Sequence, residues 1–560
     1  MDFKEEIIAL LKKHHVNATT LLEMPSNPSL GEYALPCFTF AKTLKKAPLI
    51  IAQELAQQLQ NGQTTDFLDK VIATGPYVNF FIKPGARAKA TITAINNGVF
   101  WNFGCGNKKI LIEYPSPNTN KPLHLGHIRN IVLGSTLTIL FKRDGNEVIQ
   151  VNLNNDRGVH ICKSMLAYKN WGNDAPPNKK SDHYVGDYYV LFQKEAQKNP
   201  ALEEEAQTML LAWENDDPET RALWKLMNNW ALQGFNETYK RYHIHFDKEY
   251  YESQIYQEGK KIVLEHIDQL TKDDTGAVIA PLQERFNLPD KILLRKDGTA
   301  IYMTQDIALT IQKINEFKPD LQLWIVANEQ QLHFQQLFAI LEMLGVKGRE
   351  NFFHFSYGMV NLPEGRMKSR EGRVIDADDL LDEMEQLAAE EIKKRRQEWS
   401  ESKIREKSKI VALGAIRFFI IKYDPLKDFT FDQKTSLNFE GDTGPYLQYT
   451  HARICSILAK TTYRATADVT LLTATEEQEL LRQLSAMPDA YRKAVQEYKP
   501  STIAMQLLEI GRAFNSFYQA CPVLAAKEDL QSARLQLIEA VRRVLDEGLS
   551  LLGIEAPKEM

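Results

Sequence analysis

A strand–loop–helix–strand run of about 45 residues, opening at "KKILIEYPSPN", constrains this chain more than any other feature. Ile110, Leu111 and Ile112 form a short apolar run of the kind buried as a strand. A Pro/Asn-rich loop follows, then a helical pattern from about Gly126 through "IRNIVLGSTLTILFKRDG". "NEVIQVNLNND" reads as a second strand. Two strands joined by a helix form a βαβ crossover, which implies a parallel sheet.

The alternation resumes downstream. "KILLRKDGTAIYMT" reads as strand and "QDIALTIQKI" as helix. "LQLWIVAN" reads as strand, "QQLHFQQLFAILEMLG" as helix, and "FFHFSYGMVNL" as a strand leading into the loop "PEGRMKSREG". The expected core is α/β: a doubly wound, Rossmann-like parallel sheet. Residues 165–285 are helical, aromatic and charged with little strand signal, and are read as an insertion. Residues 1 to about 105 form a separate α+β module, closed by strand, Gly-Pro turn and strand in "DKVIATGPYVNFFIKP". From about 380 the chain is an all-α bundle, with helices expected at 380–398, 404–423, 444–460, 475–497, 500–521 and 529–553.

Charge narrows the function classes. With 68 Lys+Arg against 73 Asp+Glu, the net charge of −5 argues against a whole-surface nucleic-acid binder but leaves room for a local basic groove. The five cysteines are scattered and contain no C-x-x-C, which fits a reducing compartment and no thiolate zinc site. "MDFKEEIIALLKKHH" lacks the apolar core of a signal peptide, and no apolar run approaches the roughly 18 residues of a membrane span. A cytoplasmic protein is expected, with no membrane partner.

In "NTNKPLHLGHIRN", residues 118–130, His124 and His127 stand three apart behind Lys121. A zincin would show H-E-x-x-H, so zinc is not expected. Packing of one or both rings is the plainer alternative. The context favours a third reading. The pair lies after the first parallel strand, at a helix start, where free N–H groups and the helix dipole attract anions. Gly126 allows close backbone approach, and imidazoles can donate to phosphate oxygens.

"PLHLGH" resembles the H-x-G-H signature of class I aminoacyl-tRNA synthetases. "RMKSR", Arg366–Arg370, stands where that family carries its K-M-S-K-S loop, about 240 residues further on. "IEYPSPNTNKPLHLGHIRN", "NDRGVHICKSM", "DGTAIYMTQDIA" and "GDTGPYLQYTHARI" are similar to the arginyl-tRNA synthetase form, and the resemblance covers essentially the whole chain. It implies arginine–tRNA ligase activity: arginine activated with ATP to arginyl-adenylate and pyrophosphate, then transferred to the 3′ end of its tRNA. ATP is a substrate, Mg²⁺ arrives on its phosphates, and a monomer is expected.

The resemblance also assigns residues. His124, Gly126 and His127, with Met367, Lys368, Ser369 and Arg370, fall to ATP. Glu113 and Asp306 fall to the guanidinium, with Ser116, Asn118, Tyr302 and Gln330 as further contacts to the amino acid. Carboxylates suit that role, because a guanidinium is a permanently charged fork of five donors. The bland alternatives are a dipole-favoured Asp306, a core Tyr302 and a helix-capping Gln330. One position departs from the family pattern: Ser369 stands where the second loop lysine belongs. Family members with the same loss carry a lysine ahead of H-x-G-H, here Lys121, which is expected to supply the missing charge as a catalytic residue.

For RNA, Tyr77 and Asn79 in the N-terminal module and Tyr446, Gln448, Tyr449 and Arg453 in the bundle are the candidates, with interhelix packing as the alternative. The expected division is 1–105 for the tRNA elbow, 106–380 for catalysis, 381–440 for the tRNA stem and 441–560 for the anticodon.

Overall fold

The apolar run at 110–112 is buried on both faces, as a central parallel strand must be. It lies in β1 (Lys109–Glu113), which with β2 (Glu147–Asn154), β3 (Lys248–Tyr251), β4 (Leu321–Ala327) and β5 (Phe352–Tyr357) forms one sheet. All pairs are parallel, in the order β5-β4-β1-β2-β3. The order reverses beside β1, so the crevice at the carboxyl ends of β1 and β4 is the switch point where such sheets bind ligands. The structure, a computed structural model, describes residues 3–560 except 17–20, 24, 26, 62–64, 102–103, 105, 364, 367–374 and 462–466.

The connecting helices are α1 (Leu125–Arg143), α2 (Val159–Trp171), α3 (Ser181–Lys198), α4 (Ala201–Glu214), α5 (Pro218–Arg241), α6 (Glu252–Glu265), α7 (Tyr302–Phe317) and α8 (Gln331–Met343). Helices α2–α5 form the insertion between β2 and β3. α1 is buried along nearly its whole length. Gly134 on α1 has a specific reason to lack a side chain: a Cβ there would stand 2.6 Å from the Tyr114 ring. Tyr114 in turn donates its hydroxyl proton to Gln150 Oε1 at 2.7 Å.

Two strand expectations need correction. Lys291–Leu294 is a strand, but it pairs antiparallel with Val278–Ala280 in a separate small sheet, and "AIYMT" opens α7 instead of extending it. The expected insertion, 165–285, also hides β3, which pairs with β2 through Val151↔Lys248 to Asn154↔Tyr251. A four-residue strand, "KEYY", is too short to show a period.

The long C-terminal helices are α9 (Ala377–Arg395), Glu401–Ile421, Gly444–Leu458, Thr475–Gln496, Ser501–Ala520 and Glu528–Leu551. Their apolar faces join the sheet core in one continuous cluster. Buried Arg417 ties the bundle to α1, donating to Leu552 O (3.0 Å), Ser135 Oγ (3.1 Å) and Thr136 Oγ1 (3.2 Å). The N-terminal hairpin, Leu68–Thr74 and Tyr77–Ile82, pairs with Tyr33–Pro36 in a three-stranded sheet. Arg87 pairs with Glu32 and reaches Gln478 at 3.2 Å, fastening this module to the bundle. No described helix is long and apolar enough to cross a membrane.

Candidate active site

β1 delivers the chain into the switch-point crevice, and the loop after it is pinned to β2. Ser116, at φ +56°, donates its amide to Asn152 Oδ1 (3.2 Å) and accepts at its carbonyl from Asn155 Nδ2 (2.8 Å). A left-handed serine persists only when its neighbours hold it there. Asn118, exposed, bridges to Asn155 on the same edge.

His124 is the N-cap of α1. Its Nδ1 accepts from the Gly126 amide at 3.1 Å, and His127 Nδ1 accepts from the His124 amide at 3.1 Å. The two rings therefore satisfy helix-start donors that would otherwise be orphaned. Their centroids lie 4.0 Å apart. Burial, then the Lys121 charge, lowers the His124 pKa to about 4. Burial, the neighbouring His124 and Lys121 hold His127 well below its ordinary range. Both rings are thus neutral, with Nδ1 accepting and the proton on Nε2. Each can present one N–H donor beside the positive end of a buried helix, an arrangement chemically able to bind an anion.

Lys121 is half-buried, and its charge is felt by both rings. The expected partners in the second loop, Met367, Lys368, Ser369 and Arg370, lie outside the described residues. The loop's exit is well defined. His124 bridges antiparallel to Asp376, Leu125 N donates to Ile375 O (3.0 Å), and Ala377 N donates to Leu123 O (2.9 Å). The second motif's trailing edge is therefore laced by main-chain bonds to the histidine loop.

The amino-acid candidates divide. Asp306, one turn into α7, pairs with His333 Nε2 at 2.8 Å. Tyr302, at the start of α7, is 64% exposed, so it is not a core aromatic. Gln330 is exposed after β4 and makes no side-chain cap bond to α8. Glu113 departs from expectation. It is buried at the end of β1 in an ion pair with Lys313, itself fully buried on α7. Its charge is already answered, so it is not an open wall for a guanidinium.

A second buried carboxylate, Glu252, was not legible in the sequence, and it lies 3.7 Å from the Arg157 guanidinium. Glu252, at the start of α6, is buried, and burial raises its pKa to about 7 against the lowering by Arg157; Asp156 and Asp306 raise it further. The same charge is felt at Tyr302. Glu252, Asp306 and Tyr302 thus lie within electrostatic reach of one another, with the Arg157 guanidinium among them. The available signal was the β3–α6 junction "KEYYES", invisible once β3 was read as part of a helical insertion.

Three RNA candidates point inward. Asn79 is 2% exposed in its hairpin. Gln448 is fully buried, donating to Ile410 O (3.2 Å) and Glu555 O (2.8 Å). Tyr446 is buried, its hydroxyl accepting from Asn515 Nδ2 at 2.8 Å. Helical spacing puts Tyr446 and Gln448 on the bundle's inner face, Asn79 is buried in its strand, and all three are packing residues as they stand. Tyr77 is half-buried edge-on to Phe38, and Tyr449 is half-buried against Phe439. Arg453 is exposed, its guanidinium over the Tyr518 ring at 4.4 Å.

Among the described residues, Asp182, His183 and Asp378 have the closeness of a metal-ligand set. An ammonium already stands among them: Lys180 Nζ lies 2.8 Å from Asp182 and 2.9 Å from Asp378.

Comparison with known proteins bears on the whole chain. Residues 95–433 match a family model described as tRNA synthetases class I (R), catalytic domain. Residues 447–560 match the DALR anticodon binding domain, and residues 1–82 the arginyl tRNA synthetase N terminal domain. An arginine–tRNA ligase of Treponema denticola is 41% identical over 556 residues, covering 95% of this chain and 93% of its own. That of Parabacteroides distasonis is 38% identical over 568 residues, covering 95% and 94%. The solved arginyl-tRNA synthetase of Thermus thermophilus superposes with a TM-score of 0.84 at 27% identity, covering 100% of this chain and 99% of that one.

Proposed function

The chain belongs to the class I arginyl-tRNA synthetases, and we propose that His124, His127, Lys121 and the acidic pocket beside them carry out its arginine–tRNA ligase reaction. A carboxylate oxygen of arginine attacks the α-phosphorus of ATP. The bond to the bridging oxygen breaks, and pyrophosphate leaves arginyl-adenylate. A hydroxyl of the tRNA's terminal adenosine then attacks the arginyl carbonyl, and AMP leaves. No enzyme nucleophile is needed, so the protein's work is positioning and stabilisation of phosphate charge.

One observation carries the reading: two neutral imidazoles cap a buried helix at the sheet's switch point, each with Nε2–H as its donor. In this reading the two donors grip phosphate oxygens, Gly126 admits them to the backbone, and Lys121 adds the charge that Ser369 lacks. Met367, Lys368 and Arg370 contribute from the second loop. Mg²⁺ enters with ATP as part of the substrate. Asp306 and Glu252 face the guanidinium, Tyr302 and Gln330 complete the wall, and Ser116 and Asn118 take the amino-acid backbone. Glu113 acts at the pocket floor through its pair with Lys313. Tyr77, Tyr449 and Arg453 are the surface groups for tRNA. The 1–105, 106–380, 381–440 and 441–560 segments divide elbow, chemistry, stem and anticodon. The protein works as a cytoplasmic monomer.

The test is arginine-dependent exchange of pyrophosphate into ATP, run with and without tRNA. Exchange is expected, and His124→Ala or His127→Ala is expected to slow it about 10²–10³-fold, as loss of a transition-state donor does. Exchange at the unaltered rate in both variants would remove the histidines from the chemistry.

A further inference from the structure

Helix α3, inside the insertion, touches both segments that meet at His124. At Gly186 it lies on the loop ahead of the histidines: a Cβ there would stand 2.6 Å from Pro122 Cδ and 3.6 Å from Lys121 Cα. A residue with a side chain would push the helix off that loop. One turn earlier, His183 Nε2 lies 3.3 Å from Asp376 Oδ1 and 3.7 Å from Asp378 Oδ2. These contacts are ion pairs without an aligned hydrogen bond.

Asp376 is a junction. Its Oδ1 accepts the Asp378 and Asp379 amides as the N-cap of α9, at 2.8 and 3.4 Å. Its backbone bridges to His124, flanked by the Leu125–Ile375 and Ala377–Leu123 bonds. Its charge also reaches the His124 ring, where it favours protonation. A protonated His124 could no longer accept at Nδ1, and the cap on α1 would be lost. A cation held on Asp376 opposes that.

The surrounding charges are extensively paired. Lys180 reaches Asp182, Asp378 and, at 2.8 Å, Thr238 Oγ1 of α5. Arg241 of α5 holds Asp378 Oδ1 at 3.1 Å. Arg241 also pairs with Asp382 at 2.5 Å and Glu385 at 3.2 Å, so that with His183 three basic groups face five carboxylates. Asp376 and Asp378 outweigh burial and favour the charged imidazolium at His183.

The geometry points to α3 as a strut between the two nucleotide-binding segments, with His183 as a positioning residue whose charge holds Asp376 and so sets how His124 caps α1. This rests on the arginine–tRNA ligase reading of the site. The insertion would then serve the chemistry as well as separating two strands.

The test is steady-state arginine charging of tRNA by the full chain, by His183→Gln, by His183→Lys and by Gly186→Ala. His183→Gln is expected to lower kcat about tenfold and raise KM for ATP, with KM for tRNA within about twofold, as for a misplaced catalytic group. His183→Lys keeps the charge and is expected to recover to within about threefold of the unaltered chain. Gly186→Ala is expected to lower kcat with KM for tRNA unchanged. The inference is overturned if His183→Gln keeps kcat and KM for ATP, or if His183→Lys is as impaired as His183→Gln. Should His183→Gln not fold, a Gly186→Ala chain with unaltered kcat overturns it. If the unaltered chain charges no arginine, the ligase reading itself fails before any variant is compared.

Discussion

The main-chain amide of His124 donates to Nδ1 of His127 across 3.1 Å, and the Gly126 amide donates to Nδ1 of His124 at the same distance. Each ring spends one nitrogen on the helix start and keeps the other as a donor. This fixes the tautomer, and burial with Lys121 nearby fixes the charge.

A pH prediction follows. An ordinary histidine titrates near 6.5, whereas His124 is held to about 4. Between those values the unfolded chain binds more protons at this position than the folded one. The histidine's contribution therefore destabilises the fold as pH falls from about 6.5 to about 4 and is absent above that window. Carbon NMR of labelled histidines should show His124 and His127 neutral at pH 5.5. Midpoints near 6.5 for both would contradict the capped geometry.

Lys121→Ala should slow arginine activation by about 10²-fold, the usual cost of one charge-stabilising group. Adding Ser369→Lys to that variant should restore much of the loss by returning a lysine to the second loop. Pyrophosphate exchange measures both. An activation rate near that of the unaltered chain in Lys121→Ala would end the compensation idea.

Glu252→Gln should raise KM for arginine about 10- to 100-fold, the worth of a charged hydrogen-bond partner at about 1.5–3 kcal/mol. KM for tRNA should hold. Because burial pushes the Glu252 carboxyl up to about 7, arginine affinity in the unaltered chain should rise as pH increases through that value, and the glutamine variant should lose this rise. Calorimetric titration with arginine across pH checks it; a variant with unaltered affinity would move the guanidinium elsewhere.

Lys313→Met should destabilise the protein by about 3–5 kcal/mol, because the buried Glu113 carboxylate would lose its partner. Combining it with Glu113→Gln should recover most of that loss. Denaturant unfolding of the three chains reads the difference. Equal stability for Lys313→Met and the unaltered chain would contradict the ion pair.

The legible parts of the chain were those with a period. Leu111 and its neighbours in β1, the long apolar helix after them, and the C-terminal helices were readable from spacing. β3 was not, because four residues carry no period and "KEYY" sits among helices. The histidine cap was readable because helix start and motif coincide. Long-range pairing was not: nothing local marks Lys313 as the partner of Glu113, 200 residues away. For the same reason Gln448 looked available to RNA although Gly414, on a neighbouring helix, admits its amide to the interior. Glu252 was missed because its burial depends on where β3 delivers it.

Charging of unfractionated tRNA, with ATP and each of the twenty amino acids in turn, tests the assignment most directly. The expected result is transfer of arginine alone. Transfer of another amino acid in its place, or binding of tRNA with no charging at all, would contradict it.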